Sequence, residues 1–287
     1  MNHEFHRYCM QEAIDQSRRS VSEPEKISPL VGAILAKGES IIGRAYRGMP
    51  PHVAGHAEFC LLNGLEEKGF QRENYFGSTL YTTLEPCTFR GRDKKSCADR
   101  IRASGISRVV VGMLDPNPYI LGNGILILRQ LNIEVELFPP DMMAEIENIN
   151  NSFLHQYGWS KGEEIDSGTF PNLNNLCGKW IVEAPLPDGT IIVDEVYIQR
   201  RVANRLYGVQ INLNAQIESL FYITYIDKGI VNYTFRSKSN SPNGLDHGTG
   251  MAVFKNDNEA IGYGASRGAV VGEIPQLLSF KIRRSEN

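Results

Sequence analysis

Val31-Gly32-Ala33-Ile34-Leu35-Ala36 and Ile41-Ile42-Gly43-Arg44-Ala45-Tyr46 flank the turn Lys37-Gly38-Glu39-Ser40. Two apolar runs around a glycine-containing turn predict a β-hairpin. Outward from it, helical and strand patterns alternate. Upstream, Phe5, Cys9, Met10, Ala13 and Ile14 recur at helical spacing, so an amphipathic helix is expected as far as Arg19. A polar connection, Ser20 to Ser28, joins it to the hairpin. Downstream, His56 to Lys68 reads as a helix stopped by Gly69, Ser78 to Thr83 as a strand, and Cys97 to Ser104 as a helix closed by Gly105. Arg108 to Met113 reads as a buried strand, Ile125 to Gln130 and Ile133 to Phe138 as a helix and a strand, and Asp141 to His155 as a last helix. This alternation predicts an α/β fold of three layers, a sheet covered by helices.

The pattern changes after Tyr157. Residues 158–177 are rich in Gly, Ser, Asn, Asp and Pro with little periodicity, which reads as a linker. Beyond it lie short β-rich runs at Lys179–Glu183, Ile191–Gln199, Leu206–Leu213, Leu220–Ile226, Ile230–Arg236, Met251–Phe254 and Leu277–Ile282. Turn signals such as Pro187-Asp188-Gly189 and Asn256-Asp257-Asn258 separate them, so a β-rich antiparallel barrel or sandwich is expected. Trp180 reads as a core plug, and Gly262-Tyr263-Gly264 as strand-end geometry. The expected organisation is a first domain over 1–157, a linker over 158–177 and a β domain over 178–287.

Composition narrows the function classes. With 30 Lys plus Arg against 33 Asp plus Glu, the net charge is −3. That argues against a generic binder of long nucleic acid, which carries a basic excess. No window approaches the ~18 consecutive apolar residues of a membrane span. The start, Met1-Asn2-His3-Glu4-Phe5-His6-Arg7, lacks the apolar core of a signal peptide, so a cytoplasmic location is expected. Five cysteines in 287 residues do not form a secreted disulfide framework; they are expected to be buried, reactive or metal-bound.

Chemistry concentrates in His56-Ala57-Glu58, at a predicted helix start, and in Glu85-Pro86-Cys87 after a strand, with Cys97 beyond. Zinc favours His nitrogen and thiolate sulfur, and a catalytic site keeps a fourth position open. His56, Cys87 and Cys97 are therefore the expected zinc ligands. Glu58, two residues past the histidine, is expected to be the catalytic base rather than a ligand. Cys60 sits on an apolar helical face and reads as core; Cys9 and Cys177 read as structural, and His155 and His247 as isolated. Gly122-x-Gly124 is too short for a dinucleotide fingerprint and reads as loop geometry.

A His-x-Glu followed by Pro-Cys and a further Cys is the pattern of zinc deaminases. The sequence resembles the riboflavin-biosynthesis pyrimidine deaminase domain of the cytidine-deaminase superfamily. The resemblance runs from residue 3 to Phe153, through Ser28-Pro29-Leu30-Val31-Gly32-Ala33, His56-Ala57-Glu58, Thr83-Leu84-Glu85-Pro86-Cys87 and Asp115-Pro116-Asn117-Pro118. It implies a cytidine-deaminase-like fold and zinc-dependent, hydrolytic release of ammonia from a pyrimidine-type, phosphorylated small molecule. It also admits a homo-oligomer. Nine residues separate Cys87 from Cys97, which favours the riboflavin type over deaminases with closely spaced cysteines.

The chain departs from that family in its pocket loops. Ser28 stands where the family has a substrate-contacting Asn, and Thr88 to Ser96 lacks the family's His and Thr-Pro-Pro stretch. No nicotinamide-binding pattern follows the resemblance. The expected substrate contacts are Ser28, Ala57, Arg90, Arg92, Lys94, Asp115 and Asn117. Arg90, Arg92, Lys94 and Lys95 read either as a solvated loop face or as a phosphate clamp, and Asp115 and Asn117 either as a turn or as ribose or base contacts. Two other readings stand beside the enzyme of small molecules: a base deaminase of nucleotides or nucleic acids acting as a toxin or defence effector, and a nucleotide-sensing scaffold whose β domain recruits a partner. Glu58 discriminates the scaffold, because a binding module has no need of a base beside the metal.

Overall fold

A computed structural model of the chain describes residues 2–23, 25–91, 94–117, 120–157, 176–185, 189–201, 205–212, 217–227, 229–237, 247–267 and 276–285. The chain divides into two compact units, Met1–Ser160 and Lys161–Asn287. The expected linker falls outside the described residues except for Leu176 and Cys177, both buried.

The first unit is built on five strands: β1 (Gly32–Lys37), β2 (Ser40–Tyr46), β3 (Ser78–Thr82), β4 (Arg108–Val111) and β5 (Glu134–Leu137), in the order β2-β1-β3-β4-β5. The expected hairpin is β1–β2, its turn held by Gly38 at φ 60. β3, β4 and β5 are parallel, as they must be once helices connect them. Those crossovers are α4 (Cys97–Ser104) and α5 (Asn123–Gln130). β1 runs antiparallel to both β2 and β3, so the C-terminal ends of β2, β3 and β4 all emerge at one edge of the sheet. In sheets of this kind, ligands bind outside the carboxyl ends of strands.

Helices cover both faces. α1 (His3–Ser17) is capped by Asn2, whose Oδ1 accepts from the Glu4 N–H at 3.1 Å, and it packs on β1, β2 and β3. α2 (Ala57–Glu66) packs on β1 and β2 from the other side. The close approach of α1 explains Gly32: a methyl there would stand 2.0 Å from the Ala13 carbonyl oxygen and 2.5 Å from the Ser17 nitrogen. Both are helix backbone and cannot rotate away. Gly32→Ala is accordingly expected to cost about 3 kcal/mol, seen as a lower denaturant midpoint at unchanged slope. An unchanged midpoint would contradict this packing.

The structure adds and divides elements. A short helix, α3 (Arg72–Tyr75), precedes β3 where only a connection was expected. The expected last helix is two, α6 (Pro140–Ile149) and α7 (Asn151–His155). They part at Asn150, whose amide accepts from Leu30 N–H at 2.7 Å and donates to Leu30 O at 3.1 Å, fastening this corner to the chain entering β1. None of the described helices is long and apolar enough to cross a membrane.

The second unit is a closed barrel of eight strands: β6 (Gly178–Pro185), β7 (Ile191–Arg201), β8 (Arg205–Asn212), β9 (Ile217–Asp227), β10 (Ile230–Ser237), β11 (His247–Asn256), β12 (Glu259–Arg267) and β13 (Gln276–Arg284). Each pairs antiparallel with the next, and β13 closes on β6 through pairs such as Ile282 with Val182. The barrel therefore replaces the sandwich alternative. Gly262-Tyr263-Gly264 is not strand-end geometry but the middle of β12, a strand the sequence pattern did not reveal. Trp180 is buried, donates from its indole N–H to Leu176 O at 2.8 Å, and carries the Arg284 guanidinium 4.3 Å above its ring.

Candidate metal centre

The shared strand edge brings the two chemical motifs together. His56 is the N-cap of α2 in extended backbone, with φ −69 and ψ 153, and makes no side-chain capping bond. Its ring is therefore left to other partners. Cys87 follows β3, and Cys97 opens α4, whose cap Ser96 accepts from the Asp99 N–H at 3.1 Å. The Ala98 N–H donates to Cys87 O at 3.1 Å and holds the two cysteine segments side by side.

The donor atoms converge. His56 Nδ1 lies 3.4 Å from Cys87 Sγ and 3.5 Å from Cys97 Sγ, and all three ligand atoms fall within 4.8 Å of one another. A tetrahedral zinc ion with bonds of about 2.0 Å to nitrogen and about 2.3 Å to sulfur keeps such ligands about 3.5 Å apart. The donor chemistry and the spacing both fit zinc. The Cys97 thiol supplies a hydrogen bond that holds Cys87 well below the ordinary thiol range, with His56 adding to the effect. A bound zinc ion would complete this by replacing the remaining thiol proton.

Glu58 stands beside the cluster in the first turn of α2 and is buried. Burial pushes its carboxyl above the usual range. Its Oε2 lies 3.4 Å from Cys97 Sγ, and its Oε1 is 3.4 Å from the Thr82 hydroxyl. Glu58 thus borders the donor set without being one of the three grouped ligands.

Other expected residues are placed less uniformly. Ala57 is buried next to His56. Asp115 is buried, and desolvation pushes it up to about 7, with Cys87, His56 and Glu58 all near enough to influence it. Its Oδ1 accepts from the Asn117 N–H at 2.9 Å, the bond of the turn expected for Asp115 and Asn117. Arg90 donates to Ala54 O at 3.4 Å and lies 5.5 Å from the centre of the Phe59 ring, close to the α2 entry. Lys94 is exposed, and Arg92 lies outside the described residues. Ser28 is buried and accepts from Arg47 at 3.3 Å. Cys60 is buried near Met49 O and stays outside the metal group, as do Cys9 and Cys177. Cys9 and Cys177 are buried too, and none of the five cysteines is in a disulfide.

Sequence reasoning missed three residues here. Arg47, buried just after β2, pairs with Glu23 at 2.7 Å and reaches Ser28. Phe89 is 70% exposed in the loop between the two cysteines. The third, Glu85, was read only as part of the Glu-Pro-Cys motif.

The buried Glu85 carboxylate gathers four backbone amides: Asp115 N–H at 3.1 Å, Gly122 at 3.0 Å, Gly124 at 2.9 Å and Ile125 at 3.3 Å. It satisfies the start of α5, where a negative charge is favoured. It also fixes the loop after β4 against the segment carrying Cys87. Gly124 is required there, because a Cβ would stand 2.3 Å from Pro86 O. Glu85→Gln replaces one acceptor oxygen by an NH2 group aimed at N–H donors. A loss of about 2–4 kcal/mol of stability is expected, together with about 10–100-fold weaker zinc binding in a chelator competition. Wild-type values in both assays would reduce Glu85 to a bystander.

Comparison with known proteins places these residues. A family model described as the cytidine and deoxycytidylate deaminase zinc-binding region matches residues 3–113, which include His56, Glu58, Cys87 and Cys97. The riboflavin biosynthesis protein RibD of Escherichia coli (strain K12) is 39% identical over 129 residues, 44% of this chain and 32% of that protein. The diaminohydroxyphosphoribosylamino-pyrimidine deaminase of Buchnera aphidicola subsp. Schizaphis graminum is 37% identical over 127 residues, 44% of this chain and 79% of that relative. A solved diaminohydroxyphosphoribosylaminopyrimidine deaminase/5-amino-6-(5-phosphoribosylamino)uracil reductase from Thermotoga maritima is 33% identical and covers 54% of this chain and 42% of that one, with a TM-score of 0.45. Against four RibD proteins the chain spans only 27% to 37% of their length.

Proposed function

Because the chain belongs to the diaminohydroxyphosphoribosylamino-pyrimidine deaminase family, we propose that its first unit removes an exocyclic amine hydrolytically from a phosphorylated pyrimidine and releases ammonia. The observation that carries this reading is the buried Glu58 carboxyl beside a converged His56, Cys87 and Cys97 set.

His56, Cys87 and Cys97 would hold zinc, leaving one position open. Bound zinc supplies Lewis acidity that lowers the pKa of water toward about 7. Glu58 would take one proton of the attacking water at its carboxylate and give it to the ring nitrogen, then carry the proton of the new hydroxyl to the departing amine. A carboxyl raised by burial holds a proton more readily than an ordinary carboxylate, which suits the delivery half of that transfer. Water's oxygen replaces the amine as a ring carbonyl, and ammonia leaves. The backbone of Ala57 and Cys87 would border the amine-bearing carbon, with Asp115 and Asn117 beside it.

Arg92 and Lys94, on a loop tethered between two metal ligands, are assigned to the substrate phosphate. Arg92→Ala with Lys94→Ala should raise KM for the phosphorylated pyrimidine by about tenfold or more, the loss of one or two charge-assisted bonds, while KM for the dephosphorylated compound stays put. Equal effects on both would return these charges to a solvated loop. Five cysteines outside any disulfide suit the reducing cytoplasm, which is the proposed location. The reading as a whole is tested by ammonia release from diaminohydroxyphosphoribosylaminopyrimidine, cytidine, deoxycytidylate and single-stranded DNA. The first should lead. Preference for DNA would favour the effector reading instead.

A further inference from the structure

The barrel contains a second candidate site, independent of the deaminase reading. Alternation along its strands turns residues such as Trp180, Val182, Asp194, Val196, Val231 and Tyr233 toward the interior. An eight-stranded barrel is just wide enough to be filled by side chains or to hold one small ligand. This one is not filled: a cavity of about 280 Å³ remains inside it.

The cause is a repeated pairing of glycine with an aromatic ring. Gly208 faces Phe221, Gly248 faces Phe235, Gly250 faces Tyr233 and Gly262 faces Phe280 on neighbouring strands. A Cβ on Gly208 would stand 1.9 Å from the Phe221 ring, and one on Gly262 would stand 2.0 Å from the Phe280 ring. The rings therefore lie over bare backbone along the wall instead of crossing the barrel. The centre is left open.

The lining decides the ligand class. It is mostly aliphatic and aromatic, and its described residues include no Lys, Arg or His. Asp194 accepts a hydrogen bond from Gln210 and puts a carboxylate in the wall. A buried anion would meet that carboxylate with no cation to pair with, at high cost. Tyr233 lines the cavity, and among the described residues no hydrogen bond engages its hydroxyl. Burial keeps it protonated and able to donate. An apolar cavity of roughly 150 Å³ holds one benzene ring. We propose that the barrel binds an uncharged, apolar molecule about the size of two fused rings, whose single hydroxyl or carbonyl oxygen meets Tyr233.

The test uses the full zinc-loaded chain and two probes with the same rings, 2-naphthol and the anion 2-naphthoate. Calorimetry should show one saturable 2-naphthol site, with a matching change in Trp180 fluorescence. 2-Naphthoate should bind at least about tenfold more weakly. Tyr233→Phe should weaken 2-naphthol by about fivefold, the loss of one hydrogen bond. Ala252→Phe fills the cavity and should weaken 2-naphthol by at least about tenfold while zinc content is unchanged; Ser219→Leu serves the same purpose if that variant does not fold. Absence of saturable binding, wild-type binding in a folded cavity-filling variant, or equal affinity for 2-naphthoate would overturn the proposal.

Discussion

Glu58→Gln is expected to lower deamination by about 10²–10⁴-fold, the loss typical of removing a general acid–base group. Zinc content and melting temperature should barely move. Glutamine keeps the size of the side chain and an oxygen that can face the Thr82 hydroxyl, now 3.4 Å from Glu58. What it lacks is the ability to take a proton from water. The substitution also removes a carboxyl whose burial disfavours its charge, so no stability loss comes from that source. If zinc disappeared with the carboxyl, Glu58 would be a ligand or its support. Unchanged deamination would remove it from the mechanism.

Cys97→Ser is expected to abolish zinc retention and activity together. Cys97 is fully buried at the start of α4, and serine is of similar size, so the helix should persist. The loss lies in donor chemistry. Zinc prefers soft thiolate and imidazole to an alcohol, and His56 with Cys87 alone make a weak two-ligand remainder. Cys87→Ser should behave alike, whereas Cys60→Ser, outside the donor group, should keep its metal. Metal analysis of the three purified variants gives the answer. Full zinc in both Cys87→Ser and Cys97→Ser would dissolve the proposed centre.

Much of this was legible in the sequence because it is local. The hairpin, the helix start at His56 and the helix opening at Cys97 each depend on a few neighbouring residues: a glycine turn, a change of period, a serine cap. The metal set was readable because zinc chemistry restricts residue type as well as spacing. Glu85 was not readable in the same way. Its four partners lie between Asp115 and Ile125, and nothing around Glu85 announces them. Arg47 looked like any residue following a strand until burial paired it with Glu23. In the β unit, the choice between barrel and sandwich rests on β13 meeting β6, strands about a hundred residues apart, a pairing no local pattern encodes. β12 escaped notice because its Gly262 and Gly264 resemble turn residues, whereas Gly262 in fact accommodates the ring of Phe280 across the ladder.

Hydrolytic deamination at the His56, Cys87 and Cys97 centre should leave an isotopic record in its products. Zinc-loaded protein is incubated with diaminohydroxyphosphoribosylaminopyrimidine in water carrying heavy oxygen, and ammonia and the labelled pyrimidine are both quantified. One ammonia should be released for each heavy oxygen taken into the ring carbonyl, with Glu58→Gln nearly silent on both counts. Tight binding of the pyrimidine by the zinc-loaded wild-type chain, with neither ammonia nor label appearing, would contradict it and leave a nucleotide-sensing scaffold in its place.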